Sequence, residues 1–118
     1  MVMQRKPLII AMLFLGGLLM PLISKAQFVC STEYKGDADV KVYVTEYKGA
    51  ADLVVYKTEY QGDAEDNKGI WYFTEYKGAA KKKIYFTDYK GDADLVVYFT
   101  EYKGAAGWQN KKKERLMD

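Results

Sequence analysis

Val54-Val55-Tyr56-Lys57-Thr58-Glu59-Tyr60, followed at once by Gln61-Gly62, is the stretch that decides how this chain folds. It is dense in β-branched and aromatic residues, the types that fit a pleated surface. Side chains alternate across a strand, so Tyr56, Thr58 and Tyr60 share one face while Val55, Lys57 and Glu59 share the other. In the related stretches the place of Lys57 is taken by Val44, Phe73, Phe86 and Phe99. Both faces are therefore largely apolar in most copies, which predicts strands covered on two sides. A Lys-Gly or Gln-Gly pair ends each strand, as expected of a tight turn that needs the positive φ of glycine.

Working outward, the same pattern recurs along the chain. A tyrosine that follows Glu or Asp stands at Tyr34, Tyr47, Tyr60, Tyr76, Tyr89 and Tyr102, with spacings of 13, 13, 16, 13 and 13 residues. Two residues before each is a threonine (Thr32, Thr45, Thr58, Thr74, Thr87, Thr100), and two after each is a glycine (Gly36, Gly49, Gly62, Gly78, Gly91, Gly104). A second tyrosine lies four residues before the marker at Tyr43, Tyr56, Tyr72, Tyr85 and Tyr98, and Cys30 takes that place in the first unit. Such recurrence is the signature of a repeat architecture. It predicts an all-β fold of six tandem strand-turn units of about 13 residues in one compact domain. The residue after each glycine alternates as Asp37, Ala50, Asp63, Ala79, Asp92 and Ala105. That alternation predicts two environments for odd and even copies, with the Asp side chains accepting turn N–H groups. Asp66-Asn67-Lys68 is the one insertion and reads as a longer loop between the third and fourth units.

The ends divide from this core. Residues 1–26 carry Arg5 and Lys6, an apolar run from Leu8 to Ile23, and Ser24-Lys25-Ala26, the order of a cleavable signal peptide. The apolar run is broken by Gly16, Gly17 and Pro21 and falls short of the roughly 20 residues a membrane span needs. The expected organisation is thus a signal peptide over 1–26, a repeat domain over 27–108, and a basic, flexible, solvated tail over 109–118. A periplasmic or secreted location follows, with no membrane attachment after cleavage. The leader holds three of the 18 basic residues and none of the 16 acidic ones, so removing it takes the net charge from +2 to −1. That balance argues against nucleic acid, whose partners show a basic footprint.

Chemistry is narrowed mainly by what is missing. There is no histidine, and beyond the leader there is one serine (Ser31) and one cysteine (Cys30), so no Ser-His or Cys-His pair can form. Glu33, Glu46, Glu59, Glu75, Asp88 and Glu101 recur at one repeat position, which suits a structural role better than a carboxylate dyad. Asp37/Asp39, Asp63/Glu65/Asp66 and Asp92/Asp94 raise calcium, but lysines flank them and the glycine-dense spacing of calcium solenoids is absent. No catalytic, cofactor or metal residue is therefore assigned, and no enzyme is expected. With one cysteine no intrachain disulfide can form. Cys30 is read as a buried thiol in a monomer, with a Cys30-linked dimer as the alternative. Lys81-Lys82-Lys83 reads as a solvated edge that discourages strand addition. The five second tyrosines, with tryptophan, form a ladder that would bind a carbohydrate or peptide if exposed; as a source of buried area they would be core.

The reiterated Thr-Glu-Tyr-Lys-Gly-(Asp/Ala)-Ala-Asp-X-X-Val-Tyr pattern over roughly residues 28–108 resembles an uncharacterised bacterial family, a domain of unknown function associated with the seven-crossing septafoil torus knot. The resemblance implies a knotted β-domain and transfers no catalytic or binding residue. A small β-solenoid and an unknotted repeat barrel are the other architectures compatible with the periodicity. Functionally the expectation is an exported, non-enzymatic structural or interaction protein. A ligand-binding module and a carboxylate-based enzyme are the alternatives.

Overall fold

The computed structural model of the chain describes residues 27–118; the leader read at residues 1–26 lies outside the described residues. Each unit forms one strand. These are β1 (Phe28–Ser31), β2 (Val40–Val44), β3 (Leu53–Thr58), β4 (Ile70–Phe73), β5 (Lys82–Phe86) and β6 (Leu95–Thr100), with a two-residue β7 (Gly107–Trp108). A single-turn 3-10 helix follows each of the first six, at Lys35–Asp37, Lys48–Ala50, Gln61–Asp63, Lys77–Ala79, Lys90–Asp92 and Lys103–Ala105.

The six strands are all parallel and close on themselves in the ring order β1-β5-β2-β6-β3-β4, with β4 pairing β1 again. The chain moves two places round the ring at each step, so that β1, β2 and β3 take alternate places on a first lap and β4, β5 and β6 fill the gaps on a second. The single exception is β3 to β4, which moves one place, and it carries the insertion Asp66-Asn67-Lys68. Two laps of equal steps would bring β4 back onto β1. The odd step is what lets the second lap run between the strands of the first.

Strong stagger makes short units sufficient. Ser31 at the end of β1 and Val40 at the start of β2 both face Ile84 of β5. A new strand thus begins level with the end of the last, and no long crossover is needed. Barrels with steeply tilted strands have this kind of shear.

The core is layered as strand alternation requires. Val29, Val42, Val55, Trp71, Ile84 and Val97, one residue from each strand, are all 0% exposed and form the middle layer. Val40, Leu53 and Leu95 lie below them. Gly69, just before β4, has φ +89 with Val54 O only 2.5 Å from where a Cβ would stand, so no side chain fits there. Met117 from the C-terminus joins the core at 0% exposure, with Leu116 and Trp108 packed beside it.

The tail therefore differs from the flexible, solvated segment expected over 109–118. Lys111–Met117 forms a 3-10 helix, started by Asn110, whose side chain accepts from the Lys112 N–H. Asn67 of the insertion donates to Glu114 O at 2.9 Å and to Asp118 Oδ1 at 3.0 Å, and Trp108 Nε1 donates back to Asn67 O at 3.1 Å. Leu116 and Met117 pull the segment down, because apolar side chains are the part of this tail that water does not favour. Lys111 and Lys112 stay exposed, while Lys113 reaches Asp52 at 3.3 Å.

Two further expectations change. Lys82 and Lys83 lie in β5, between β1 and β2 in a closed barrel, so they guard no edge. The turn glycines do not use positive φ, which among the described glycines is confined to Gly69 and Gly107.

The second aspartate of the pattern has a structural task. The Asp52 N–H donates to Val96 O at 2.7 Å while its carboxylate accepts the Val96 N–H at 2.9 Å. Asp39 makes the same reciprocal pair with Lys83, and Asp94 with Lys41. Each clamps the start of its strand to the preceding strand of the ring. For Asp52, burial pushes the carboxyl up, but the Val96 N–H, Asn110 and Lys113 together hold it below its usual value. A depressed carboxyl stabilises the fold above its unfolded pKa, and that stabilisation is lost as pH falls through the folded one.

Met117→Ala is expected to lower the unfolding free energy by about 2–4 kcal/mol in urea melts, as buried Met-to-Ala changes do; a change near zero would return the tail to the frayed reading. Asp52→Asn is expected to cost about 1–2 kcal/mol at neutral pH and to flatten the loss of stability below about pH 4. An unchanged acid limb would remove Asp52 from that account.

Candidate functional site

Parallel strands that close into a ring send all their C-terminal ends the same way, so the six turns crown one end of the barrel. Each is built identically. The threonine hydroxyl oxygen accepts the N–H of the tyrosine two residues on, at 3.1–3.2 Å in all six units. This closes the chain over before the 3-10 turn and leaves the tyrosine ring outside. Tyr34, Tyr47, Tyr60, Tyr76, Tyr89 and Tyr102 are 72–76% exposed.

The aspartates that follow the glycines do not accept turn N–H groups, as was expected of them. Thr58 donates its hydroxyl to Asp63 at 2.8 Å and Thr32 to Asp37 at 3.4 Å. The remaining oxygen capacity goes to the neighbouring turn: Lys77 meets Asp37 at 2.6 Å, Lys35 meets Asp92 at 2.6 Å, and Lys103 meets Asp63 at 2.9 Å. Each lysine lies one place behind its aspartate round the ring. Hydrogen bonding to these lysines holds Asp37, Asp63 and Asp92 below the usual carboxylate range and lifts Lys35 and Lys77 above theirs.

The Asp/Ala alternation is thus not an alternation in space. In ring order the positions read Asp37, Asp92, Ala50, Ala105, Asp63, Ala79. Lys90 and Lys48 precede the alanines Ala50 and Ala105 and make no ion pair among the described residues. Gln61, the one turn without lysine, precedes Ala79. These ion pairs are exposed, so salt screens them and their share in stability is small.

Inside the crown four of the six positions at the barrel mouth are apolar. The mouth is lined by the residue before each threonine: Ser31, Phe86, Val44, Phe99, Lys57 and Phe73 in ring order. Phe73 and Phe86 stack at 6.4 Å with 18° between their planes, reaching across Ser31. Lys57 Nζ lies 5.0 Å from the centre of the Phe73 ring, a cation–π distance. Val44 is 41% and Phe86 37% exposed.

The sequence-derived candidates fall elsewhere. Tyr43, Tyr56, Tyr72, Tyr85 and Tyr98 lie on the outer face of the barrel and are half-buried. They form no exposed row. Glu33, Glu46, Glu59, Glu75, Asp88 and Glu101 are exposed, each on its own turn. Of the acidic clusters, Asp37, Asp63 and Asp92 take the lysine-bonded role and Asp39 and Asp94 the backbone-clamping one, while Asp66 pairs with Lys68 at 3.5 Å within the insertion and Glu65 is exposed. Among the described residues no group of three or more His, Cys, Asp or Glu is placed to hold a metal ion. Cys30 is 4% exposed, with its Sγ donating to Ser31 O at 3.6 Å. The six exposed tyrosines served the sequence reading only as markers of the repeat. The signal that separates them is their place beyond the threonine, where alternation no longer assigns a face.

A closed, all-parallel barrel of tandem strand-turn units, with its ornament confined to one end, is the class that fold and site define. Residues 26–109 match the family model of the 7(1) septoil knot domain, and the chain belongs to that family. No curated protein and no solved structure matches the chain.

The turn glycines complete the site. A Cβ added at Gly36, Gly49, Gly62, Gly78, Gly91 or Gly104 would meet nothing within 4 Å. Neither backbone angle nor space explains six glycines here. Gly36→Ala and Gly91→Ala are expected to leave stability unchanged or raise it by up to about 1 kcal/mol, through loss of unfolded-state freedom. Gly69→Ala should instead cost about 1–3 kcal/mol or prevent folding. Denaturant melts of the three variants check the contrast.

Proposed function

We propose that this is an exported, non-enzymatic interaction protein, a monomeric barrel that works in the periplasm or outside the cell and meets its partner with the crowned end. The observation that carries the reading is the set of six tyrosines, each 72–76% exposed and held by the same threonine-closed turn. Tyrosine gives large contact area with few rotors to freeze and is enriched in interface hot spots. Turns tied by hydrogen bonds at fixed spacing are pre-organised, so less ordering opposes binding. Glycines with open space beside them keep the turn backbone accessible to whatever docks. The leader-like order of residues 1–26 supports export, and a net charge of −1 without the leader speaks against nucleic acid. Burial of Cys30 supports the monomer over a Cys30-linked dimer.

A ligand-binding reading draws on the same end rather than on the half-buried ladder. Phenol faces beside Glu33 and its five counterparts suit the ring faces and hydroxyls of an oligosaccharide, or an extended peptide. The test is an array of defined oligosaccharides and peptides probed with the purified barrel. At least one class should bind, and the triple variant Tyr34→Ser, Tyr47→Ser, Tyr60→Ser should weaken it at least about tenfold. Stability should change by no more than about 0.5 kcal/mol per site, since these side chains are exposed. Binding that survives the triple variant would move the site away from the crown.

A further inference from the structure

The aromatic surface of the crown comes with a charge of its own. Each exposed tyrosine directly follows an exposed acid, which is Glu33, Glu46, Glu59, Glu75, Asp88 or Glu101. None of these six makes an ion pair among the described residues. The aspartates around them are all engaged. Asp37, Asp63 and Asp92 are bonded to lysines of neighbouring turns, and Asp39, Asp52 and Asp94 accept backbone N–H groups of neighbouring strands. Lys35, Lys77 and Lys103 are taken up by those bonds, and Lys41 of β2 also lies 3.9 Å from Asp92. Only Lys48, Lys90 and Lys57 then stand with the six unpaired acids at this end. Turn and mouth residues together hold nine acids and six lysines, a net charge of −3, whereas residues 27–118 as a whole carry −1.

We propose that the crown docks an arginine-rich segment of a partner protein, an inference that rests on the reading of the crown as the partner-facing end. The ring offers a guanidinium two complementary groups, each repeated six times. A carboxylate accepts its N–H groups in a planar pair, and a phenol face takes the flat side of the same plane. This end already holds one cation on an aromatic face, since Lys57 Nζ lies 5.0 Å from the centre of the Phe73 ring. Neighbouring turns lie within reach of one another, because Lys77 meets Asp37 and Lys35 meets Asp92 at 2.6 Å. Several arginines of one segment can therefore be engaged together. The space open beside the turn glycines leaves room for the backbone of that segment.

Other partners use less of what the crown presents. A neutral oligosaccharide would cover the rings and leave six charges without a counterpart. An anionic segment would meet charge of its own sign, which complementary interfaces avoid. Lysine would match the carboxylates but has no plane to lay on a ring.

The experiment is fluorescence anisotropy of labelled octa-arginine, octa-glutamate and an uncharged Gly-Ser octapeptide with the folded protein. Octa-arginine alone should bind, and raising salt from about 50 to 300 mM should weaken it severalfold as exposed charges are screened. The turns after β4, β1 and β5 are neighbours round the ring, so two triple variants can strip one arc of either group. Glu33→Gln with Glu75→Gln and Asp88→Asn removes the carboxylates, and Tyr34→Ser with Tyr76→Ser and Tyr89→Ser removes the rings. Each should weaken octa-arginine at least about tenfold while leaving the urea midpoint unchanged. Glu65→Gln with Asp66→Asn and Asp118→Asn removes the same three charges away from the crown and should leave binding within about twofold. Octa-arginine that fails to bind, binds equally to either crown variant, or is weakened as much by the control overturns the proposal. If another probe binds instead and is lost with the three tyrosines, the arginine-rich partner is overturned and the crown reading stands. If no probe, oligosaccharides included, depends on the crown tyrosines, both are overturned.

Discussion

Every parallel ladder in this barrel joins a strand of the first lap to a strand of the second, and the rest of the structure depends on that pairing. β1, β2 and β3 never pair with one another, nor do β4, β5 and β6. Neither lap is a sheet alone. The backbone N–H and C=O groups of the first three strands stay unpaired until the last three arrive, and unpaired buried backbone is not tolerated. Most of these pairings span long stretches of chain: Val29 meets Lys82, and Val42 meets Leu95. The β3–β4 ladder, with Tyr56 opposite Ile70, is local because the lap changes there. Loop closure must be met before such contacts give anything back, which places this fold among the slow topologies. The knot for which the family is named is the topological form of this interleaving, in a world of folds where true knots are essentially absent.

The polar residues of the repeat support that winding at three levels. Aspartates such as Asp52 fix where each strand starts by pairing both ways with one residue of the neighbour. Threonines end the strand by capping the tyrosine N–H. The Asp37, Asp63 and Asp92 carboxylates then tie adjacent turns together through lysine. The apolar residues are asymmetric where the winding is. Gly69 supplies no side chain just after the insertion, and Met117 enters from the tail. Six near-identical units thus close into a barrel whose one irregular step is matched by one irregular loop and one plug.

How much of this was legible follows from what a repeat records. Strands, turns and their spacing could be read off Val54–Tyr60 and its copies, since alternation and turn chemistry are local. That Val55 and the place of Lys57 share a face followed from the same alternation; that this face is the inward one did not, because both faces read as apolar. Ring order could not be read, because side chains on β5 carry no label saying which two strands they enter between. For that reason the Asp/Ala pattern suggested alternating environments, whereas its partners are lysines on turns far away in sequence. Lys82 and Lys83 were assigned to an edge because closure is invisible in a single strand. The tail reads as solvated on its lysines, whereas Leu116 and Met117 decide its place.

The sequence by itself determined the unit: a strand that alternates, a threonine that stops it, a turn that sends the chain on, repeated six times with one insertion. Those are consequences of backbone geometry and side-chain type within a few residues. The tertiary structure alone decided that the units wind twice and interleave, that the tyrosines beyond the threonine are the exposed ones, and that Gln27 and Met117 meet at the base. These depend on contacts between residues tens of positions apart, and near-identical units cannot specify by local chemistry which copy meets which. The pairing is settled only when all six strands close together.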